Sequence, residues 1–378
     1  MRMPRGRVQR RRLAALAVVA LVAGAIGIAV GSSGDSADEP KAGATERRAA
    51  LDLPLEQQVG ELLVMSFPGP TAPEYIRRRL RNGEGSGVIL FGPNVTDARG
   101  LRRLTRSLQR AARGDALIAT DQEGGEIRNV PFAGPLAPQS AVATVDAAAA
   151  TGREAASGLR RAGVNVNLAP VADVNPATGR GVLASRIYPG APGTVGELVA
   201  ASVRAHSQQR VAATVKHFPG LGRATINTDD GSTAIPARQP AIQATDLVPF
   251  RAAIEAGAPL IMASHALYPA FDARRIASQS PTILRTLLRD RLGFGGAVVT
   301  DSVEAQAVLD RSDVGTAAVR SVVAGADLVL MTGSGSWNLV YPRLLRRARR
   351  SPAFRTRVEE SARRVIELKR RLGLRAAG

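Results

Sequence analysis

The chain contains no cysteine. Structural disulfides, a thiol nucleophile, thiolate metal ligands and a lipidated-cysteine anchor are thereby excluded, and the redox compartment is left open. Aromatics are also few, eight Phe, four Tyr and one Trp among 378 residues. They show no interleaving with basic residues, so a nucleic-acid surface built on base stacking is not expected. There is no Gly-x-Gly-x-x-Gly unit, no Gly-Lys-Ser/Thr loop and no His-x-His spacing. Neither a nucleotide cofactor nor a metal is therefore expected.

Lysine and histidine are scarce too. Among 51 basic side chains only Lys41, Lys216 and Lys369 are lysines, and the histidines are His206, His217 and His265. Yet Lys216 and His217 stand side by side at the end of an apolar run, in Val-Lys-His-Phe-Pro-Gly. A lysine kept there by an arginine-rich chain points to a need for a compact ammonium donor rather than a planar fork. The pair reads as part of a polar-ligand site of the kind that holds a sugar.

What the chain has in excess is positive charge, with a formal net charge of +19. Residues 1–50 carry nine basic and four acidic side chains, which leaves 42 against 28, or +14, on the remainder. From Arg343 to Arg375 there are 13 basic and three acidic residues, with Val358, Ala362, Val365, Leu368 and Leu372 at helical spacing. This pattern predicts terminal helices with a basic outer face. Such a face favours anionic partners, an anionic cell-envelope surface above nucleic acid.

Six arginines (Arg2, Arg5, Arg7, Arg10, Arg11 and Arg12) precede an uncharged apolar run from Leu13 to Val30. Its 18 residues are just enough to cross the hydrocarbon layer with the positive flank inside. Residues 1–31 therefore read as a signal anchor, or as a signal peptide cut near Ala29-Val30-Gly31. Residues 32–50 are small, polar and charged, a flexible tether that buries too little apolar surface to offset its ordering entropy. An exported, extracytoplasmic protein is expected, held at the membrane or released after cleavage. The sequence does not disclose its oligomeric state.

From residue 51 to 378 the chain is long enough for one barrel-sized domain. Eight short apolar runs recur there, separated by helix-like segments: 62–66, 87–91, 117–120, 164–169, 211–216, 260–263, 297–300 and 328–331. Repeated strand–helix units of this number predict an α/β fold, a (β/α)8 TIM-type barrel. Polar or glycine-rich clusters follow nearly every run, among them Asp121-Gln122-Glu123-Gly124-Gly125, Asp173-Val174-Asn175, Ser264-His265 and Asp301-Ser302. In this fold, active sites are built at that end of the strands. Asp301, directly after a buried-strand pattern, would be presented at the barrel mouth. Asp-Ser is also a helix-capping sequence, so a cap for a helix starting near Val303 is the other reading.

The motifs Thr-Asp-Gln-Glu-Gly-Gly (120–125), Asn-Leu-Ala-Pro-Val-Ala-Asp-Val-Asn (167–175), Lys-His-Phe-Pro-Gly (216–220), Met-Ala-Ser-His (262–265) and Val-Thr-Asp-Ser (299–302) occur in that order. In them the chain resembles family 3 glycoside hydrolases, specifically the single-domain bacterial β-N-acetylglucosaminidases of cell-wall turnover, over about residues 52–335. The resemblance implies a retaining glycosidase. It would hydrolyse terminal β-linked N-acetylhexosamine in cell-wall (peptidoglycan) fragments, through a covalent glycosyl intermediate on Asp301. It also implies substrate contacts from Asp121, Arg186, Lys216 and His217. Asp121 before Gly124-Gly125 also reads as a turn residue, Arg186 as one surface arginine of many, and His265 equally as a ligand contact or a satisfied histidine under the rim.

Two departures from the family pattern stand out. After Lys-His-Phe-Pro-Gly the family has His-Gly, four residues, then Asp-Ser-His, whose aspartate and histidine form the acid/base dyad. Leu221, Asn227 and Asp229 replace those three residues here. Asp229 is the candidate acid, although holding an aspartate protonated near neutral pH takes about 4 kcal/mol. The alternative is that Asn227-Thr-Asp-Asp-Gly231 is a turn without chemistry. After Gly125 an arginine-rich continuation is replaced by Glu126-Ile127-Arg128-Asn129, in which Arg128 substitutes by a one-residue shift. A sugar-binding pseudoenzyme and a β-glucosidase-type specificity are the competing functions.

Overall fold

The eight apolar runs form eight parallel strands of one sheet in the computed structural model, which describes residues 52–175 and 181–374. They are β1 (Leu63–Met65), β2 (Gly87–Ile89), β3 (Leu117–Thr120), β4 (Val166–Asn167), β5 (Ala212–Phe218), β6 (Leu260–Ala263), β7 (Ala297–Thr300) and β8 (Val329–Leu330). Each strand pairs with its sequence neighbours, and β1 also pairs with β8. A parallel bridge between Val299 and Leu328 joins β7 to β8 and closes the ring. The Thr300 N–H donates to Leu328 O at 3.0 Å, and the Leu328 N–H to Val298 O at 2.9 Å. This is the predicted (β/α)8 barrel. The fourth run yields the short strand β4 because Pro170 offers no N–H, though its carbonyl still accepts from Lys216 N at 3.2 Å.

Strand alternation builds the core. Val64, Ile89, Leu117, Ala119, Val166, Met262, Val299 and Leu330 meet inside the barrel, while intervening residues such as Leu63, Val88, Ile118, Ile261 and Val298 pack against the outer helices. Val365 and Leu368 of the last helix, Pro352–Arg371, together with Leu372 just after it, join the interior cluster. That helix therefore plugs one end, and Lys369 identifies which one. Its buried Nζ lies 2.7 Å from Glu61 and 2.6 Å from Asp115, residues just before β1 and β3. The N-terminal end is thus sealed, and the C-terminal end stays open for a ligand.

The apolar stripe predicted for this helix is buried at all five positions, but its basic residues do not all face out. Arg357 is buried against Asp327 at 2.5 Å, and Asp327 also receives Arg289 at 2.6 Å and Arg364 at 3.1 Å. Buried carboxylates before the strands thus draw Arg357 and Lys369 inward, leaving Arg355, Arg370 and Arg371 on the exposed face. Burial, reinforced by Glu61, raises the Asp115 carboxyl to about 6 against the opposing pull of Lys369. Lys369→Ala strands two like charges and is expected to cost about 3–5 kcal/mol, read as a lower urea midpoint with unchanged slope.

The apolar run 13–30, the tether and Arg375 lie outside the described residues. Among the described residues no helix is long and apolar enough to cross a membrane.

Candidate active site

A cavity of about 550 Å³ opens at the C-terminal ends of the strands. Asp121, Arg128, Arg186, Lys216, His217, Asp229 and Asp301 all line it, although the sequence scatters them over 180 residues. Its volume suits a ligand of one or two sugar rings.

Lys216, near the end of β5, is the electrostatic centre. Its Nζ lies 2.6 Å from Asp121 Oδ1 and 2.6 Å from Glu123 Oε1, and its side chain is almost wholly buried. Glu123 also accepts a two-pronged bond from Arg186, Nε to Oε2 and one terminal nitrogen to Oε1, each 2.8 Å. Burial alone would raise the Glu123 carboxyl; Lys216 and Arg186 outweigh it and hold it at about 2. The same carboxylates, Asp121 first and then Glu123, overcome the burial that would lower Lys216 and push its ammonium up. Asp121 is therefore tied to a cation rather than to the following turn. That turn is a tight hairpin, Gln122–Gly124 with Ile127–Arg128, in which Gly124 and Gly125 take φ of 103° and 58°. It carries Arg128 into the cavity, where the buried Nε has no hydrogen-bond partner among the described residues. The neighbouring Asn129 serves the loops instead, accepting from Gly92 N at 3.1 Å and donating to Asp121 O at 3.2 Å.

His217 is held by Asp173. The imidazole Nδ1 donates to Asp173 Oδ2 at 2.7 Å, and the same buried carboxylate accepts the Leu221 N–H at 2.5 Å. With Nδ1 committed as donor, Nε2 of the neutral ring is an acceptor. His265 stands apart: Nε2 donates to the Ser302 carbonyl at 2.8 Å, and Nδ1 accepts from Ser278 Oγ at 2.7 Å. Both ring nitrogens are satisfied, so His265 braces the loop carrying Asp301 and is not a lining residue.

Asp301 follows β7 at the cavity wall, its Oδ1 accepting its own neighbour's Ser302 N–H at 2.8 Å. The next helix spans Gln306–Leu309 with Ala305 at its cap position, so Asp301 does not cap a helix near Val303. Burial works to raise its carboxyl, but His217, His265, the Ser302 N–H and Lys216 together hold it below the usual carboxylate range. Asp229 shifts the other way: although its side chain is exposed at the cavity rim, the partial desolvation of its surroundings first and Asp301 second raise it, against His217, His265 and Arg186. Two carboxylates at one cavity are thereby pushed apart, one toward the ionised form and one toward the protonated form.

The turn read in Asn227–Gly231 is present, with Asn227 O accepting from the N–H groups of Asp230 and Gly231 at 3.0 and 3.1 Å. It also serves the cavity. The Gln306 N–H donates to Asp229 O at 3.2 Å and the Ala307 N–H to Thr228 O at 3.1 Å. First-turn donors of a helix need such partners, and these fasten Asp229 to the segment that follows Asp301. Leu221 and Asn227, where the family has histidine and aspartate, line the same cavity.

Three residues to which the sequence assigns no individual role matter here. Glu123 and Asp173 are visible in it only as members of polar clusters after β3 and β4. Glu304, three residues after Asp301, lines the cavity, with Oε2 accepting from Thr332 N at 2.9 Å and Ser302 Oγ at 3.0 Å.

A closed parallel barrel with paired carboxylates and buried cations at its C-terminal mouth defines a barrel enzyme that acts on a polar, hydroxyl-rich ligand. The sequence profile of the glycosyl hydrolase family 3 N terminal domain matches residues 54–368. The chain belongs to that family, and it is a glycoside hydrolase with a carbohydrate substrate. An uncharacterized secreted glycosyl hydrolase of Arthroderma benhamiae is 33% identical over 339 residues, 85% of this chain and 95% of its own length. A beta-hexosaminidase of Xanthomonas oryzae pv. oryzae (strain KACC10331 / KXO85) is 32% identical over 280 residues, 71% of this chain and 83% of its own. Among solved structures, the family 3 beta-N-acetylglucosaminidase from Paenibacillus sp. str. FPU-7 superposes with a TM-score of 0.81 at 32% identity. The alignment covers 86% of this chain, which spans 64% of that one.

Proposed function

We propose that the protein is an exported β-N-acetylhexosaminidase that releases terminal β-linked N-acetylhexosamine from cell-wall fragments with retention of configuration. The observation that supports this most is the opposed pair at one cavity, with the Asp301 carboxyl held below the ordinary carboxylate range and the Asp229 carboxyl raised above it. In the first step Asp301 attacks the anomeric carbon while Asp229 gives its proton to the departing oxygen, breaking the glycosidic bond. In the second, Asp229 takes a proton from water as that water displaces Asp301 from the sugar. Lys216, with two of its three donor directions used by Asp121 and Glu123, keeps the third for a sugar hydroxyl, and His217 Nε2 and Arg128 supply further contacts.

The names of the hexosaminidase relatives support the N-acetylhexosamine preference, and the arginine-flanked apolar run 13–30 supports export. In this reading residues 1–31 are the export segment, 32–50 the tether and 51–378 the catalytic domain. The test is hydrolysis of an aryl β-N-acetylglucosaminide against an aryl β-glucoside by the full chain. The N-acetyl sugar is expected to be cleaved with the higher kcat/KM; preference for the glucoside overturns the assignment. Lys216→Arg, which replaces the compact ammonium by a fork, is expected to lower kcat/KM by about 10- to 100-fold, as loss of charged hydrogen bonds predicts.

A second reading, a sugar-binding protein without efficient turnover, draws on Leu221 and Asn227 in the positions of the family's histidine and aspartate. Saturable sugar binding with no cleavage even of an activated aryl glycoside would establish it.

A further inference from the structure

A second cleft, of about 660 Å³, lies on the flank of the barrel and shares no lining residue with the catalytic cavity. Its charged lining is Arg274, Arg275, Arg311, Arg320 and Arg347, with no carboxylate. They come from three places: the hairpin strand Asp272–Ile276, the segment before the helix Val314–Ala324 together with that helix, and the helix Ser336–Arg350. All five are exposed. Only Arg275 has an acidic neighbour among the described ion pairs, Asp272 at 3.6 Å, a long and solvent-screened pairing. Gln279 also lines the cleft, is buried, and leaves its Nε2 without a hydrogen-bond partner.

We propose that this cleft binds a phosphodiester polymer that carries no bases. Five like charges gathered around one concavity repel each other unless an anion is shared between them, and guanidinium forks match phosphate oxygens two at a time. Their spread over three elements suits a chain of repeated phosphates better than one small ion, and the unpaired amide of Gln279 offers a neutral donor between them. The lining contains no aromatic ring, so nothing there stacks a nucleobase. Such a site would hold the enzyme on an anionic envelope polymer while the barrel mouth works on a neighbouring sugar chain.

The test measures binding of linear poly(glycerol phosphate) to the full chain at several salt concentrations. Arg274→Ser, Arg320→Ser and Arg347→Ser combined are expected to weaken binding at least tenfold. The salt slope should fall by about 2, at roughly 0.7 for each phosphate of a flexible chain that is no longer neutralised. A control combining Arg103→Ser, Arg106→Ser and Arg110→Ser removes the same charge from the helix Ala98–Ala111 and should bind nearly as the unmodified chain does. Equal losses in the two triple variants, or no binding by the unmodified chain, overturn the proposal. So does equally tight binding of polygalacturonate or of single-stranded DNA, since the first would make the site a general polyanion surface and the second a nucleic-acid one.

Discussion

Asp301→Ala is expected to abolish turnover, with kcat on an aryl β-N-acetylglucosaminide falling by about 10⁴-fold or more, the scale seen when a covalent nucleophile is removed. The loss should not depend on the leaving group, because no covalent intermediate forms however good the aglycone is. It should not be a folding defect either. Among the described hydrogen bonds the Asp301 side chain makes one, accepting its neighbour's N–H, while the Asp301 N–H to the Ala263 carbonyl at 3.1 Å and His265 to the Ser302 carbonyl hold that loop without the carboxylate. Thermal midpoints of the variant and the parent should therefore agree within a few degrees. A variant that is stable yet still cleaves at a tenth of the parent rate would move the nucleophile elsewhere.

Asp229→Asn is expected to act selectively. Cleavage of substrates with poor leaving groups should drop by about 10²- to 10⁴-fold, the usual worth of general acid catalysis, while a dinitrophenyl glycoside should lose much less in the first step. The pH profile gives an independent sign. Asp301 must be ionised and its carboxyl lies below the ordinary range, so activity is lost only as pH falls through that lowered value. Asp229 must hold a proton and its carboxyl lies above the ordinary range, so activity is lost as pH rises through that raised value. The asparagine variant should lose the basic limb and keep the acidic one. A basic limb that survives would assign the acid to another group, with Glu304 of the cavity lining the first to change.

The barrel was legible in the sequence because a parallel strand buried on both faces writes itself as a short apolar run, and each of the eight runs overlaps a strand. Asp121, His217 and Asp301 were legible for a related reason, since a residue placed just after such a run is carried to the mouth of the barrel, and Lys216 closes such a run; Arg128, Arg186 and Asp229 were singled out only by the family resemblance and by the departures from it. What the sequence hid is pairing. Glu123 joins Arg186 across 63 positions, and Asp173 joins His217 across 44, and no local spacing encodes either. Those buried acids fix the donors that the sequence did show. His265 illustrates the converse, since its reading as ligand or brace turned on two partners, Ser278 and the Ser302 carbonyl, that only the fold brings near. Asp229 fell between the two cases. Its turn was readable, but not the two backbone bonds from Gln306 and Ala307 that seat this turn at the cavity.

The most direct test of double displacement on Asp301 is the intact mass of Asp229→Ala during turnover of a dinitrophenyl β-N-acetylglucosaminide. Without Asp229 to activate water, the second step is slow while the good leaving group keeps the first fast. The protein should then gain one N-acetylhexosaminyl unit, and peptide mapping should place it on Asp301. Release of dinitrophenol with no mass gain, or a sugar attached to any other residue, would contradict the mechanism.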